Sequence, residues 1–335
     1  MKIVIATGIY PPEIGGPAEY ARNLADVWRK DGNMVEVRVF SRFNFLPTGL
    51  RHLIYLFYIL PSFVKADFII TMDTFSAALP AVLASKIFGK KIILRTGGDF
   101  LWESYVERTG DLVLMRDFYN KKIPRLSFKE KLVFKIIGFV LRNANAIVWT
   151  TEWQKNIFMF PYKLDLQKHF IVEHYYGNKL PSVKPKEKNF VASTRALKWK
   201  NLEVLKEIFD RKEVVSAGAT LDMKPLPHQE FLDKISKSYA IIIVSLGDIS
   251  PNTILDAIRC NKPFILTKET GLTLRIKDIA VFADPQNPDD IEKKVLWLCN
   301  SANYEEQIRK VESFNFSHSW EEIAEEYVEI YKNLK

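Results

Sequence analysis

Apolar runs of strand length alternate along the chain with stretches whose apolar positions have helical spacing. In the first half, the apolar runs predict strands at 2–6, 34–40, 67–72, 91–96, 146–151 and 169–174. The stretches between them predict helices at 17–31, 50–64, 74–88, 127–143 and 152–160. Because most of the strand runs are apolar at nearly every position, we expect helices to cover both faces of the sheet. This alternation is typical of a doubly wound parallel sheet.

The alternation pauses once and then starts again. Residues 175–189 contain two prolines, one glycine and four lysines with no apolar period, which is typical of a linker between domains. Beyond the pause, apolar runs predict five more strands, at 189–194, 213–218, 239–245, 263–267 and 280–284. We therefore expect two similar α/β domains that face each other across a cleft.

Composition narrows the functional classes. The 335 residues are 47% hydrophobic, which is enough for two buried cores. The 48 Lys and Arg exceed the 40 Asp and Glu, so a diffuse net charge of +8 favours anionic ligands. No basic–aromatic recognition motif is present, so we expect no nucleic-acid partner. The two cysteines, the absence of a signal peptide and the short apolar window 53–64 together predict a soluble, cytoplasmic protein.

The loop after the first strand has the composition of an anion site. In "GIYPPEIGGPAEYARNLADVWRKDG" (8–32), Gly15 and Gly16 allow close approach of a ligand and a positive φ. Pro17 suits the first helical position, and Gly32 is placed to end the helix. The free N–H groups at this helix start favour an anion. A tight turn without a ligand explains the glycine pair equally well.

A second helix start in the other half lies between two acids. In "VSLGDISPNTILDAIRCNKPFILTKETG" (244–271), Ser250 is predicted as the N-cap and Pro251 as the first helical residue. Asp248 precedes this helix and Asp256 lies within it, so both carboxylates could bind hydroxyl groups. Dipole complementarity alone is the simpler explanation of these acids. Asn261 is predicted to end the helix.

Two cations follow the first strand of the second half. Arg195 ends that strand, and Lys200 comes five residues later, just before a helix. Cationic side chains beside a helix start can hold a diphosphate. Solvated surface charge is the alternative interpretation.

Taken together, these segments resemble glycosyltransferase family 4, retaining nucleotide-sugar-dependent enzymes with the GT-B fold. The resemblance extends over nearly the whole chain. It rests on the "YPP…GG" loop, on Arg195 with Lys200, on "DISPNTILDAIRCNKPFI" as an E-x7-E motif, and on the tail "FSHSWEEIAEEYVEIYKNL" (316–334). The sequence departs from the family pattern at three positions. Asp248 and Asp256 stand where the family has glutamates, and Asn261 stands where it usually has a glycine.

The resemblance implies a division of roles. Residues 1–176 would form the acceptor domain, 177–315 the donor domain, and 316–335 a helix that packs back on the first domain. Asp248 would contact the donor sugar near the reacting carbon, and Asp256 would bind the ribose hydroxyls. The rest of the donor site would consist of Gly15, Gly16, Arg195, Lys200, Ser250, Asn252 and Thr253. No cofactor or metal is implied, because the cations would replace the ion.

The same resemblance implies an acceptor site in "RTGGDFLWE" (95–103). Asp99 would contact an acceptor hydroxyl, with a role as the base, and Glu103 would lie on the acceptor side. A helix N-cap is an equally good explanation of Asp99. Trp102 is interpreted as a packing residue.

The implied acceptor is a glycan or a lipid-linked molecule of cell-surface polysaccharide or glycolipid synthesis. Residues 43–65 and 121–142 mix apolar and basic side chains, as in peripheral contacts with an anionic inner membrane surface. An ordinary core helix is favoured for 50–64, and both interpretations stay open for 121–142.

Other functions compete with this hexosyltransferase hypothesis. The two Asp-for-Glu changes allow a weakened GT-B module that binds a nucleotide sugar or a partner without turnover. An epimerase of the same fold is less favoured. The five histidines show no metal-ligand spacing and are interpreted as incidental.

Overall fold

The computed structural model describes residues 1–13, 15–181, 183–192 and 196–334. The chain forms two compact units, and the boundaries are interleaved. The first unit contains 1–101, 122–174 and 318–335, and the second contains 102–121 and 175–317. Residues 102–121, expected in the first domain, cluster with the second unit.

Each unit is built on one parallel sheet. The first sheet has the order β2-β1-β3-β4-β5-β6, and the second has the order β11-β10-β9-β7-β8. The strands of the first unit are β1 (Lys2–Thr7), β2 (Met34–Val39), β3 (Phe68–Thr71), β4 (Ile92–Arg95), β5 (Ala146–Trp149) and β6 (His169–Ile171). Those of the second are β7 (Lys188–Ala192), β8 (Ala219–Asp222), β9 (Ala240–Ile243), β10 (Phe264–Thr267) and β11 (Val281–Ala283).

Helices follow most strands. Before the second sheet these are α1 (Gly16–Lys30), α2 (Thr48–Val64), α3 (Ala78–Ile87), α4 (Phe100–Thr109), α5 (Met115–Lys121), α6 (Phe128–Asn143) and α7 (Glu152–Met159). From β7 onward they are α8 (Leu202–Phe209), α9 (Lys212–Ser216), α10 (His228–Lys237), α11 (Asn252–Arg259), α12 (Thr273–Ile276), α13 (Pro288–Cys299), α14 (Ser301–Ser313) and α15 (Trp320–Asn333). Short 3₁₀ turns lie at Ser41–Phe43, Ile123–Arg125, Leu166–Lys168 and Lys198–Lys200.

The inner strands are buried on both faces, as their apolar runs predict. Every residue of β3, β4, β5, β9 and β10 is buried. Continuous burial requires cover above and below the sheet, which the flanking helices supply. The parallel order places the carboxyl ends of the strands along one edge of each sheet, where such folds hold their ligands.

Helix α15 completes the first unit. Ser319 and Glu322 form a capping box at its start. Its Tyr327 hydroxyl lies 3.1 Å from that of Tyr20 on α1, and its Ala324 carbonyl accepts the indole N–H of Trp28 at 3.3 Å. The sequence-distant tail therefore contributes to the core of the unit that contains the first strand.

One predicted strand of the second half is wrong. Residues 213–218 were expected as a strand, but Lys212–Ser216 is the short helix α9, and β8 begins at Ala219. Gly218, at φ 74°, makes the turn between them. Val214, whose β-branched side chain favoured a strand, is buried instead on one face of α9.

Candidate functional site

The predicted donor residues of the second unit gather at the carboxyl edge of its sheet. Lys200 ends a 3₁₀ turn after β7, Asp248 follows β9, and Asp256 lies in α11 just beyond. Asp248 also pairs with Thr270 in the loop after β10 through an isolated parallel bridge. Loops from three strands thus meet where a parallel α/β sheet binds its ligand.

Lys200 and Asp248 form a largely buried ion pair. Lys200 Nζ donates to Asp248 Oδ2 at 2.6 Å, and their side chains are 10% and 12% exposed. Ser245 Oγ donates to the same carboxylate oxygen at 3.2 Å. The ammonium also lies 4.2 Å from the centre of the Trp199 ring. Since an ammonium has three N–H donors, Lys200 can hold Asp248 and still bind a further acceptor.

The start of α11 differs from its prediction. Ser250 was expected as the N-cap, but Pro251 is the cap residue, because its ψ of 115° is extended and the helix begins at Asn252. The hydroxyl of Ser250 is buried and bonds to no side chain or backbone group of the described ranges. Asn252 is exposed and Thr253 half-buried in the first turn. Among the residues that the structure describes, no side chain caps the first N–H groups of α11, so these groups can bind another acceptor.

Asp256 is held by two cationic or polar side chains. His228 Nε2 lies 3.0 Å from Asp256 Oδ2, and Arg259 Nη1 donates to Oδ1 at 3.3 Å. His228 begins α10, and its side chain is 62% exposed. His228, interpreted above as incidental, thus contacts a predicted donor residue. His228 and Asp256 lie on different helices, 28 residues apart in the sequence, so no spacing motif indicated their contact.

The end of α11 explains one departure from the family motif. Asn261 has φ 53°, in the left-handed region that a glycine would otherwise occupy. The Lys262 N–H bonds to Ala257 O at 2.9 Å and the Asn261 N–H to Ile258 O at 3.2 Å. Asn261 therefore ends the helix in the way that the usual glycine does. Arg195, the second predicted cation, lies outside the described residues.

The predicted phosphate loop of the first unit has a different backbone from that expected. Gly15 precedes α1 with φ 161°, which is extended, so the expected positive φ is absent there. A Cβ at Gly15 would lie 3.0 Å from Ile9 Cδ1, which makes the position sterically tight. Gly16 is the first residue of α1, Pro17 the second, and Gly32 follows the helix at φ 79°.

The predicted acceptor residues fall in both units. Asp99 is buried, and its Oδ1 accepts the Leu101 N–H at 3.1 Å, as an N-cap of α4 does. Gln154 Nε2 donates to Gly97 O at 2.7 Å and fixes the same loop. Glu103 is half-buried in the part of α4 that belongs to the second unit. Trp102 is buried, and its indole N–H donates to Val113 O, so it is a packing residue.

Within the described ranges, no three His, Cys, Asp or Glu side chains are grouped so that they could hold a metal ion. Among the helices of the same ranges, none has the length and apolar character needed to cross a bilayer.

No protein-family model and no curated sequence matches the chain. Several solved structures are similar to it. Sucrose-phosphate synthase from Thermosynechococcus elongatus superposes with a TM-score of 0.70 at 12% identity over 100% of this chain and 99% of that one. HepE from Anabaena, solved with UDP and glucose, gives 0.65 at 12% identity over 100% and 98%. WaaG, a glycosyltransferase of lipopolysaccharide biosynthesis, gives 0.66 at 9% identity over 98% and 99%.

At such low identity the likeness shows the fold. The two parallel sheets and their helices match those of GT-B glycosyltransferases across the length of both chains. The predicted fold class, with two Rossmann-like parallel-sheet domains, is confirmed: this chain has the GT-B fold.

Proposed function

We propose that the protein is a metal-independent glycosyltransferase that moves a sugar from a nucleoside diphosphate sugar to a glycan or lipid-linked acceptor. The observation that carries the proposal is the Lys200–Asp248 pair, held at 2.6 Å on the carboxyl edge of the second sheet. A cation and a carboxylate at this position suit a diphosphate and a sugar hydroxyl, respectively. HepE, which is similar in fold, was solved with UDP and glucose.

In the proposed reaction these side chains stabilise the charge of the leaving group, orient the donor sugar and bind the ribose. The bond between the anomeric carbon and the diphosphate oxygen breaks, and its electron pair leaves with the nucleoside diphosphate. Lys200, together with Arg195, would stabilise that charge, aided by the uncapped start of α11. Asp248 would orient the donor sugar and Asp256 the ribose.

The acceptor hydroxyl forms the new bond to the anomeric carbon on the face that the diphosphate leaves, so configuration would be retained. Its proton passes to a base, for which Asp99 is our candidate, and Glu103 would contact the acceptor. Gly15 and Gly16 would contact the donor phosphates. Ser250, Asn252 and Thr253 surround the start of α11 and would complete the donor site.

Thermal unfolding with nucleotides tests donor binding. UDP, GDP and ADP, with their sugar conjugates, are added to the full chain, because a ligand that binds only the folded state must raise the melting temperature. We expect one nucleotide to raise it, and Lys200→Ala to abolish the shift. The matched control is Lys206→Ala, an exposed lysine on α8 that pairs with Glu203. If no nucleotide raises the melting temperature, or Lys200→Ala leaves the shift unchanged, the proposal fails.

Turnover separates the transferase from a binding module. Asp248 and Asp256 are each already engaged, by Lys200 and by His228 with Arg259. If the wild type binds a nucleotide sugar but neither transfers nor hydrolyses it, and Asp248→Glu with Asp256→Glu restores turnover, the chain is a weakened module. Transfer by the wild type supports the enzyme.

An exposed surface of the first unit fits an acceptor at an anionic membrane. On α2, which contains no acidic residue, Leu50, Leu53, Phe57 and Val64 are 46–62% exposed. On α6, Phe128 and Leu132 are exposed between Lys129, Lys131 and Lys135. Both helices pack against α3. Apolar side chains among lysines are suited to the headgroup boundary of anionic lipid.

Co-sedimentation with vesicles tests this surface. We expect the wild type to sediment with phosphatidylglycerol vesicles more than with phosphatidylcholine vesicles. Replacing Phe128 and Leu132 with Ser should reduce that binding several-fold. Phe160→Ser is the control, because Phe160 is 85% exposed just after α7. Equal binding by all three proteins would overturn the membrane assignment.

A further inference from the structure

Residues Trp102–Lys121, here called the crossing segment, belong to the unit that carries the proposed donor site. The segment contains most of α4 and all of α5. Its Glu107 binds the loop that leads to Lys200: the Lys198 N–H donates to Glu107 Oε1 at 2.7 Å, and Lys198 Nζ donates to Glu107 O at 2.8 Å. Trp102 packs on Trp199, with 5.5 Å between the ring centres.

The crossing segment also contacts the loop that carries Asp248. The Met115 N–H donates to Leu246 O at 3.1 Å. A side chain at position 247 would place its Cβ in overlap with Cβ of Met115 and 3.3 Å from Trp102 Cη2. The start of α5 therefore lies directly on the backbone that precedes Asp248, and a glycine at 247 allows this approach.

A third contact joins the crossing segment to the loop after β10. Arg116 Nη2 lies 2.9 Å from Glu269 Oε1, and the Glu269 side chain is only 3% exposed. Glu269 Oε2 is buried and bonds to no group in the described part of the chain. The Glu269 carbonyl accepts the Asp248 N–H at 2.8 Å. Arg116 is thus linked through Glu269 to the backbone of Asp248.

We propose that Glu269 and Arg116 are positioning residues that fix the crossing segment against the donor loops and so hold Asp248 at its distance from Lys200. This proposal rests on the proposed function, since it assigns these residues to the same site. A displacement of Glu269 would move the Asp248 backbone and lengthen the Lys200–Asp248 contact. Small displacements of this kind reduce rate strongly, because catalysis depends on placement of the reacting groups.

The charges around Glu269 give the proposal a dependence on pH. Burial raises the pKa of the Glu269 carboxyl, Arg116 opposes that shift, and Asp117 and Asp284 add to it. Arg116 and Asp117 come from α5, and Asp284 follows β11. The neighbouring Lys268 pairs with Asp290 at 3.8 Å. As the pH falls towards the raised pKa, Glu269 takes up a proton and its ion pair with Arg116 weakens.

Kinetics of full-length variants provide the first test. We expect Arg116→Ala and Glu269→Gln each to lower kcat about 10-fold, a loss of about 1.4 kcal/mol in transition-state stabilisation, while Arg116→Lys restores part of it. Arg211→Ala is the matched control, because Arg211 is also an ion-paired arginine of this unit, with Asp289 and Glu292 as partners. The wild type should lose kcat on acidification, whereas Glu269→Gln, which has no carboxyl to titrate, should lack that part of the pH profile.

Amide hydrogen exchange without nucleotide provides the second test. The Met115 and Asp248 amides donate to Leu246 and Glu269, so they should exchange at least several-fold faster in Arg116→Ala, but not in Arg211→Ala. This result is independent of donor binding, so it separates failure of the positioning proposal from failure of the proposed transferase. Unchanged exchange, or a loss of kcat that merely follows a lowered melting temperature, would overturn the positioning roles.

Discussion

At residue 247 the absence of a side chain decides how closely two segments approach. A Cβ on Gly247 would overlap Cβ of Met115, and the two backbones are held together by the Met115–Leu246 hydrogen bond. The glycine of the family-like motif "LGDISPN" is therefore a packing requirement as well as a loop residue. Its role depends on a segment more than a hundred residues earlier in the chain.

We predict that Gly247→Ala destabilises the protein by about 1–3 kcal/mol, the usual effect of overpacking a filled contact. The measurement is urea unfolding followed by tryptophan fluorescence. Gly49→Ala is the control, because a Cβ there would meet nothing within 4 Å and alanine favours the helix α2. Equal stability of the two variants would show that α5 does not lie on Gly247 in solution.

His174 gives a residue-scale prediction of pH dependence. Burial, the Arg95 cation and His318 lower its pKa from 6.5 to about 3. The unfolded chain therefore takes up a proton on this histidine below pH 6.5, while the folded chain does so only near pH 3. Stability is fully present above pH 6.5 and is lost as the pH falls through that window.

We accordingly predict that His174→Gln, which keeps an acceptor for Arg95 Nη2, flattens the fall in melting temperature between about pH 6.5 and pH 4. Calorimetry at a series of pH values measures this. A slope identical to that of the wild type would contradict the buried, neutral state of His174.

Among the elements, α11 shows how a helix end can be kept without the usual residue. Asn261 adopts φ 53°, and its Nδ2 donates to Leu180 O at 3.0 Å. Asn tolerates the left-handed region better than other residues with a side chain. The Asn-for-Gly departure therefore leaves the end of α11 intact.

We predict that Asn261→Ala costs about 1–2 kcal/mol of stability, because alanine is strained at positive φ and cannot bond to Leu180. Asn261→Gly should cost less, since only the hydrogen bond is lost. Chemical unfolding of the two variants measures the difference. If alanine and glycine are equally tolerated, the left-handed conformation is not required there.

The predictability of the elements follows from how local their signals are. Most strands of the first sheet were predicted because they are nearly continuous apolar runs, whereas α15 was expected only from the family resemblance of the tail 316–334. The segment 213–218 was wrongly predicted as a strand, because the β-branched side chains of Val214 and Val215 favour one. Packing in the folded unit makes Lys212–Ser216 helical instead. Local pattern also failed at α4 and α5, which were not predicted.

In the candidate site, too, residues within local motifs were predicted and contacts between distant segments were not. Lys200, Asp248 and Asp256 were proposed as site residues from the spacing within family-like motifs. His228, Arg116 and Glu269 were not, because each contact joins residues far apart in sequence and no periodicity records it. The predicted N-cap of α11, Ser250, lies one residue before the observed cap, Pro251. Helix boundaries cannot be predicted from sequence to within one residue.

For the whole molecule, the proposed chemistry predicts independence from divalent metal. Lys200 and the open start of α11 would supply the positive charge that an ion supplies elsewhere. We therefore expect dialysis against EDTA to leave both the nucleotide-induced shift in melting temperature and the transfer rate unchanged. A loss that Mg²⁺ or Mn²⁺ restores would contradict this prediction and point to a metal-assisted reaction.

Interleaving of the two units constrains the order in which the protein can fold. In the first unit, Tyr20 and Trp28 contact Tyr327 and Ala324, which lie about 300 residues later in the chain. In the second unit, Trp102 and Met115 contact Trp199 and Gly247, which are also made much later. During synthesis these aromatic and sulfur-containing side chains leave the ribosome long before their partners exist. The core of the first unit cannot close on the nascent chain until α15 has emerged, and the crossing segment must wait for residues 175–317. Arrested or truncated translation products should therefore be targets for chaperones and proteases.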